Sequence, residues 1–323
     1  GILRTQSSSA PKMQMTLMGF HISTIFCCVS ITLFFSILVL VLKFVKTDPA
    51  ALVLGGEPIP PHQWALTQMA FATCLLLDFI SWLWTVDRDK SRLFYFAVVI
   101  NGLPVVTYGL LASGVTPILI DVHGRRLIII RYIQWVFTTP SMLYLYSIIS
   151  SIPNNDIITS MGLAVIVLIF GLAGSIWPFP FDFIFIGLSF ASFYFVLESL
   201  TKMITVAIND CALEDASYRG ALRGARLFMT LTWVGIPLIW TLAYLGAVSH
   251  RVEETLFSML DFASKAGVSC MILNSSIKTH AEKQDERLQA ALQEERARTI
   301  EALQEAARMK ENFFAAMSHE LRT

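Results

Sequence analysis

The chain has 323 residues, of which 55% are hydrophobic and 15% charged, with zero formal net charge. Soluble proteins carry about 25% charged residues, so the composition argues against a soluble domain, and the lack of a basic stripe argues against a nucleic-acid partner. The five cysteines have neither metal-ligand nor disulfide-framework spacing, so no metal site is expected. Long apolar blocks instead predict an all-α, polytopic bundle in membrane lipid.

The first predicted elements precede the main bundle. Residues 1–14 are polar and Ser-rich, and we expect a flexible N-terminus. The apolar run that follows is too long for a cleavable signal peptide. Residues 15–46 are therefore predicted to form an N-terminal transmembrane helix. After a Pro/Gly loop, seven further spans are predicted, at residues 64–84, 93–113, 127–150, 157–177, 181–206, 227–248 and 256–273.

Basic residues in the loops predict the orientation of these spans. With eight spans, both termini lie on the same side of the membrane. The basic residues on that side are Arg4, Lys12, Arg88, Lys90, Arg92, Lys202, Arg219, Arg223 and Arg226. The opposite side has fewer: Lys43, Lys46, Arg125, Arg126 and Arg251. The bias predicts that both termini are cytoplasmic.

Two spans carry acidic groups at membrane depth. Asp78 in the second span could mark an ion path, make a polar contact between helices or lie near a water layer. In the last span, Asp261 and Lys265 are four residues apart and therefore share a helix face. A lysine amine in a dry pocket can condense with an aldehyde to form a Schiff base, which a neighbouring carboxylate would neutralise. The alternative is an ion pair whose only role is to stabilise the helical bundle.

Two further spans combine aromatic residues with a proline. Residues 131–140 read Arg-Tyr-Ile-Gln-Trp-Val-Phe-Thr-Thr-Pro, and residues 233–240 read Trp-Val-Gly-Ile-Pro-Leu-Ile-Trp. Taken singly, each segment also permits a structural interpretation. Arg131 could reach the interface, Thr138 and Thr139 could bond backbone carbonyls near the proline kink, and the tryptophans could simply pack.

Together these segments resemble the microbial (type I) rhodopsins, which bind retinal as a Schiff base on the final helix. The resemblance rests on Arg-Tyr-x-x-Trp-x-x-Thr-Thr-Pro at 131–140, Trp-x-x-x-Pro-x-x-Trp at 233–240 and Leu-Asp-x-x-x-Lys at 260–265. It implies a seven-helix domain at residues 62–277 that binds all-trans retinal covalently. Lys265 would carry the retinal, with Asp261 as counterion. The other residues assigned to the site are Tyr108, Arg131, Gln134, Trp135, Thr138, Thr139, Trp233, Pro237 and Trp240.

The resemblance also implies roles within this site. The three tryptophans would sandwich the polyene, Thr139 and Pro237 would line the pocket, and Tyr108 would hydrogen-bond the counterion. Proton pumps of the family have a carboxylate where this chain has Gln134, and an internal proton donor where it has Leu145. An outward proton pump is therefore disfavoured. Ile236 stands where the family often has a tyrosine, so Asp261 is expected to lose one hydrogen-bond donor.

The composition changes after the last span. Residues 278–312 are rich in Glu, Arg, Lys, Gln and Ala with intermittent apolar residues, which predicts a helical signalling linker. It would form a weak or switchable coiled coil, or else a solvated single helix. Residues 313–323 then read Phe-Phe-Ala-Ala-Met-Ser-His-Glu-Leu-Arg-Thr. This segment resembles the H-box of sensor histidine kinases and implies that His319 accepts phosphate, with Glu320 as the neighbouring acid.

The H-box implies a further set of expectations. Residues 313–323 would begin a dimerisation and phospho-acceptor domain, and the chain would be part of a longer protein. The Gly-rich ATP-binding motifs of such kinases do not occur in this chain, so ATP would bind only through a further domain and no activity is expected alone. We therefore expect a homodimeric photosensor that acts on a response regulator in cis or in trans. The alternatives are a light-gated ion channel or pump, and a rhodopsin cyclase coupled through a phosphorelay.

Overall fold

The structure is a computed structural model that describes residues 10–48, 59–85, 88–149, 154–210, 216–274 and 280–320. Over these residues the chain is almost entirely helical, as predicted. The helices are α1 (Ala10–Phe44), α2 (Pro61–Trp84), α3 (Arg88–Ser113), α4 (Ile129–Ile149), α5 (Asn154–Ile176), α6 (Phe181–Asp210), α7 (Ala216–Tyr244), α8 (His250–Asn274) and α9 (His280–Glu320).

A small β-hairpin between α3 and α4 was not predicted from the sequence. Strands β1 (Leu119–Ile120) and β2 (Arg126–Leu127) are antiparallel, with Leu119 opposite Leu127. Asp121 closes the connection by accepting backbone N–H bonds from His123 and Arg125 at 2.9 and 2.7 Å. Gly124 has a φ of 76° at the turn, a left-handed conformation that glycine adopts without steric cost. Two-residue strands lack the alternating pattern by which longer strands are recognised.

Helices α2 to α8 form a closed ring. Each packs against the next in sequence, α8 also packs against α2, and α3 contacts α8 across the ring. Helix α1 lies outside this ring, against α3 and α4. Its buried residues include Phe34, whose ring meets that of Phe137 edge-on at 6.0 Å, while Leu33 and Val39 are exposed. Helix α1 is thus an eighth helix added to a seven-helix bundle. It begins at Ala10, so residues 10–14, which were expected to be flexible, are helical, and it ends at Phe44 rather than at residue 46.

Six of the described helices are long and apolar enough to span a membrane. These segments are Ile25–Phe44, Pro61–Trp84, Leu93–Ser113, Asp156–Ile176, Phe181–Val206 and Arg226–Tyr244. The exposed residues of these segments are largely Leu, Ile, Val and Phe, as expected for contact with lipid. Helices α4 and α8 are also part of the ring, but they contain the buried polar residues Arg131, Gln134, Asp261 and Lys265, which lower their hydropathy. The chain is an integral, multi-pass membrane protein.

The chain divides into two compact units, residues 1–277 and 278–323. The second unit contains α9, a single continuous helix. Glu294 and Arg298 form an exposed ion pair at 2.6 Å, one turn apart on this helix. The apolar residues predicted along the linker are exposed on it: Leu288, Leu292, Ile300, Leu303 and Met309.

Candidate functional site

The site is built around the buried face of α8. Asp261 and Lys265 are 1% and 2% exposed, and the Lys265 amine donates a hydrogen bond to Asp261 Oδ1. Residues four apart on a helix are neighbours on one face, so the helix itself places the amine against the carboxylate. Because the pair is enclosed by the ring, both charges depend on each other and on protein hydrogen bonds rather than on solvent.

Three other donors converge on the Asp261 carboxylate from α3 and α4. The Tyr108 hydroxyl donates to Oδ2 at 3.1 Å, and the Gln134 side-chain amide donates to the same oxygen at 3.0 Å. The Trp135 indole N–H donates to Oδ1 at 2.8 Å. Both carboxylate oxygens are therefore hydrogen-bonded, which is how a buried anion is stabilised. The expected loss of a donor at Ile236 is offset by this indole, whose role as a donor was not predicted.

A largely apolar cavity lies beside the amine, between α4, α5, α6, α7 and α8. The cavity volume open to the centre of a water-sized sphere is about 130 Å³. This volume is roughly ten times the volume that a single water molecule needs by the same measure. Apart from Asp261, Lys265 and a few hydroxyls, the lining is aliphatic and aromatic. The predicted site residues that line the cavity are Trp135, Thr139, Trp233, Pro237, Trp240, Asp261 and Lys265.

The other predicted site residues lie outside the cavity lining. Tyr108 and Gln134 reach the site through Asp261, as described above. Thr138 is fully buried and donates to the Gln134 backbone carbonyl at 3.1 Å, the helix-internal alternative considered from the sequence. Arg131 is 3% exposed, so its side chain is enclosed by the protein, and its guanidinium forms an ion pair with Glu254.

The partner of Arg131 was missed in the sequence analysis. Glu254 is buried at the start of α8, beside Glu253, which pairs with Arg125 at 3.4 Å on the hairpin side. Adjacent glutamates before the last span were a signal for such pairing. Neighbouring helical residues point in different directions, however, and only the rotation of α8 decides which glutamate meets Arg131.

Two predicted residues belong to the second unit. The backbone of His319 and Glu320 lies in the last turn of α9. The positions of their side chains lie outside the described part of the structure, so their assignment remains a prediction from the H-box.

Comparison with known proteins identifies the class of the ring of helices. A family model for bacteriorhodopsin-like proteins matches residues 61–279. The chain therefore belongs to the bacteriorhodopsin-like family of microbial rhodopsins. Helices α1 and α9 lie outside the matched range.

Individual relatives support this membership. Sensory rhodopsin-2 of Haloarcula vallismortis is 25% identical over 194 residues, which cover 59% of this chain and 80% of the relative. Archaerhodopsin-3 of Halorubrum sodomense is 26% identical over 248 residues, covering 71% and 91%. Among solved structures, the transmembrane domain of the Salpingoeca rosetta rhodopsin phosphodiesterase superposes with a TM-score of 0.70 at 22% identity, over 78% of this chain and 97% of that one.

The family implies a retinal chromophore, and the residues of the site fit that cofactor. An aldehyde on an apolar polyene needs a buried primary amine, a nearby anion and an apolar slot. Lys265, Asp261 and the tryptophan-lined cavity meet these three requirements. We infer that Lys265 would hold retinal, while Trp135, Trp233 and Trp240 would contact its chain.

Proposed function

We propose that this protein is a light sensor in which retinal is bound covalently to Lys265. The observation that carries the proposal is the buried Lys265–Asp261 pair at the edge of an apolar cavity. When bound, retinal supplies absorption of visible light and a change of shape by isomerisation. The presence of sensory rhodopsins among the relatives supports a sensory role.

The residues around Lys265 suggest how a change there reaches the helices. Arg131 is neutralised by Glu254, so the Asp261 carboxylate is left to balance positive charge at the Lys265 nitrogen. Asp261 and Lys265 lie on α8, whereas the three other donors to Asp261 lie on α3 and α4. Movement of charge at the Lys265 nitrogen would therefore alter the hydrogen bonds that tie α8 to these two helices. This gives the signal a route into the last helix of the bundle.

The test of light sensing is pigment formation with all-trans retinal. We expect the purified protein to form a pigment that absorbs visible light, and the Lys265→Ala variant to form none. Lys202→Ala is the matched control, because the Lys202 side chain is 67% exposed on α6 and we expect it to leave the pigment unchanged. A pigment of unchanged absorption in the Lys265→Ala variant would exclude covalent attachment at this residue.

Ion transport is the second candidate function, and the Gln134 position argues against an outward proton pump. Its side-chain amide donates to Asp261 and offers no second carboxylate to accept a proton. Leu145 is fully buried and apolar where a pump would have its internal donor. We therefore expect illuminated membranes containing the protein to carry almost no photocurrent, measured under voltage clamp. A sustained photocurrent would favour the transport function.

For the output we propose a histidine-kinase phosphorelay through His319. The H-box sequence supports it, together with the continuous helix α9 that carries this histidine near its end. The exposed apolar residues of α9 are suited to pairing with a second copy, since intermittent apolar positions support a coiled coil. We thus propose a homodimer with cytoplasmic termini, supplied with ATP by a further domain and acting on a response regulator. A phosphorelay to a cyclase is one form that this output could take.

Phosphate transfer tests this output separately. A histidine-kinase ATP-binding domain, fused after Thr323, is expected to label the protein with radioactive phosphate from ATP, with a rate that changes on illumination. His319→Gln should abolish the label, while Thr299→Ala, on the same helix, should retain it. Label that persists in His319→Gln would contradict the assignment of the phospho-acceptor.

A further inference from the structure

A second buried polar cluster lies away from the retinal site. It joins three helices through Asp78 on α2, Asn101 on α3 and Ser269 on α8. Asp78 and Asn101 are fully buried, and Ser269 is 4% exposed. The Asn101 amide donates to Asp78 Oδ2 at 2.7 Å and to Ser269 Oγ at 2.8 Å, and Ser269 donates to Asp78 Oδ2 at 2.9 Å.

The cluster is connected to the retinal site by the helix that both share. Ser269 follows Lys265 by four residues, as Lys265 follows Asp261, so the three side chains lie along one face of α8. Along α8, Lys265 therefore lies between Asp261, one turn before it, and Ser269, one turn after it, which is hydrogen-bonded to the Asp78 carboxylate. Rotation or sliding of α8 would change both sets of contacts.

The two carboxylates differ in their partners. Asp261 has the Lys265 amine and three other donors, whereas no described Lys, Arg or His side chain forms an ion pair with Asp78. An ionised carboxylate at membrane depth without a cation is costly, and such groups usually become neutral. Within the described residues, Asp78 Oδ1 and Asn101 Oδ1 are buried without a hydrogen-bond partner. Both donors bond Oδ2, as they would the carbonyl oxygen of a neutral acid, which leaves Oδ1 as the atom to carry a proton.

We propose that Asp78 is a second proton-binding site, occupied by a proton in the dark, whose hydrogen bonds link the signalling helix α8 to α2 and α3. Its ligand is a hydrogen ion on Asp78 Oδ1. The part of the inference that concerns light rests on the proposed function, because it requires that α8 moves when retinal on Lys265 absorbs light. Asp78 is then a positioning residue that responds through Ser269.

Infrared spectroscopy of the protein in lipid tests the dark-state proton directly. A protonated carboxyl group has a carbonyl-stretch band separate from those of ionised carboxylates. We expect the Ser269→Ala variant to shift this band of Asp78 to higher wavenumber, because its Oδ2 then accepts one hydrogen bond fewer. Asp78→Asn should remove the band, and Asp156→Asn, a control at an exposed carboxylate on α5, should leave it unchanged.

Light-minus-dark spectra of the same samples test the link to the signalling helix. We expect a paired carboxyl band in the unmodified protein that shifts in Ser269→Ala and is lost in Asp78→Asn. Ser269→Ala alone decides the question if Asp78→Asn fails to fold. Dark spectra without a carboxyl band that responds to either substitution would overturn the proposal. Retinal bands without an Asp78 band would overturn its link to light, whereas the absence of any pigment would overturn the proposed function and leave the dark-state result standing.

Discussion

At the scale of residues, the site depends on which buried carboxylate pairs with which buried cation. Among the described residues near the retinal cavity, two buried cations each have their own anion: Lys265 pairs with Asp261, and Arg131 pairs with Glu254. The Arg131 guanidinium also lies 5.5 Å from the Phe257 ring and 5.6 Å from the Trp64 ring. Because Glu254 neutralises Arg131, the Asp261 carboxylate remains available to balance the positive charge at Lys265, which light would perturb.

The Arg131–Glu254 pair yields a stability prediction. Glu254→Gln should lower the free energy of unfolding by about 3–5 kcal/mol, because it leaves the buried arginine without its anion. Arg131→Gln should have a similar effect, and the double variant should lose less than the sum of the two. Chemical denaturation in micelles would measure all three.

An exposed ion pair provides the control for this cycle. Lys202 and Asp156 are 3.9 Å apart with side chains 67% and 53% exposed, so Lys202→Gln should cost less than about 1 kcal/mol. If the double variant of Arg131 and Glu254 lost as much free energy of unfolding as the two single variants together, the two residues would not act as a pair.

At the scale of elements, close contact between helices depends on small residues. A Cβ at Gly174 on α5 would lie 2.8 Å from Ile186 Cγ1 on α6, and 3.3 Å from both the Asp182 carbonyl oxygen and the Ile186 backbone nitrogen. A side chain can rotate away from such a contact, but the backbone of a packed helix cannot move cheaply. Glycine at this position therefore allows α5 and α6 to approach closely.

Alanine substitutions at two glycines of α5 should change the stability of the protein in opposite directions. Gly174→Ala should destabilise the protein by about 1–3 kcal/mol through overpacking against α6. Gly162→Ala is the matched control, because a Cβ there would meet nothing within 4 Å. It should raise stability by up to about 1 kcal/mol, since alanine favours helix over glycine. The temperature at which the pigment bleaches would measure both, and equal changes in the two variants would contradict the proposed close approach.

At the scale of the whole molecule, the chromophore site lies within one compact unit. All residues that line the cavity fall between Tyr132 and Lys265, inside the unit of residues 1–277. The family match also ends at residue 279. The signal output that we propose involves α9, which belongs to the other unit.

Truncation tests this division of roles. A chain that ends after Thr279 should form the same pigment as the full chain, with an unchanged absorption maximum, because it keeps every described residue around the cavity. It should also lose any dimerisation that depends on α9, which sedimentation in micelles would report. A shifted absorption maximum in the truncated protein would mean that residues 280–323 contribute to the retinal site.

The sequence alone predicted the helical membrane bundle from hydropathy and the proximity of Lys265 to Asp261 from helical spacing, both of which act over one segment at a time. The resemblance to the microbial rhodopsins, rather than spacing, named the residues of α4 and α7 that line the cavity: Trp135, Thr139, Trp233, Pro237 and Trp240. The tertiary structure decided the rest: Glu254 as the partner of Arg131, Trp135 as a donor to Asp261, and the contact of Asp78 with Asn101 and Ser269. Each of these contacts joins different helices, so it depends on the rotation and height of one helix against another, which local sequence does not specify.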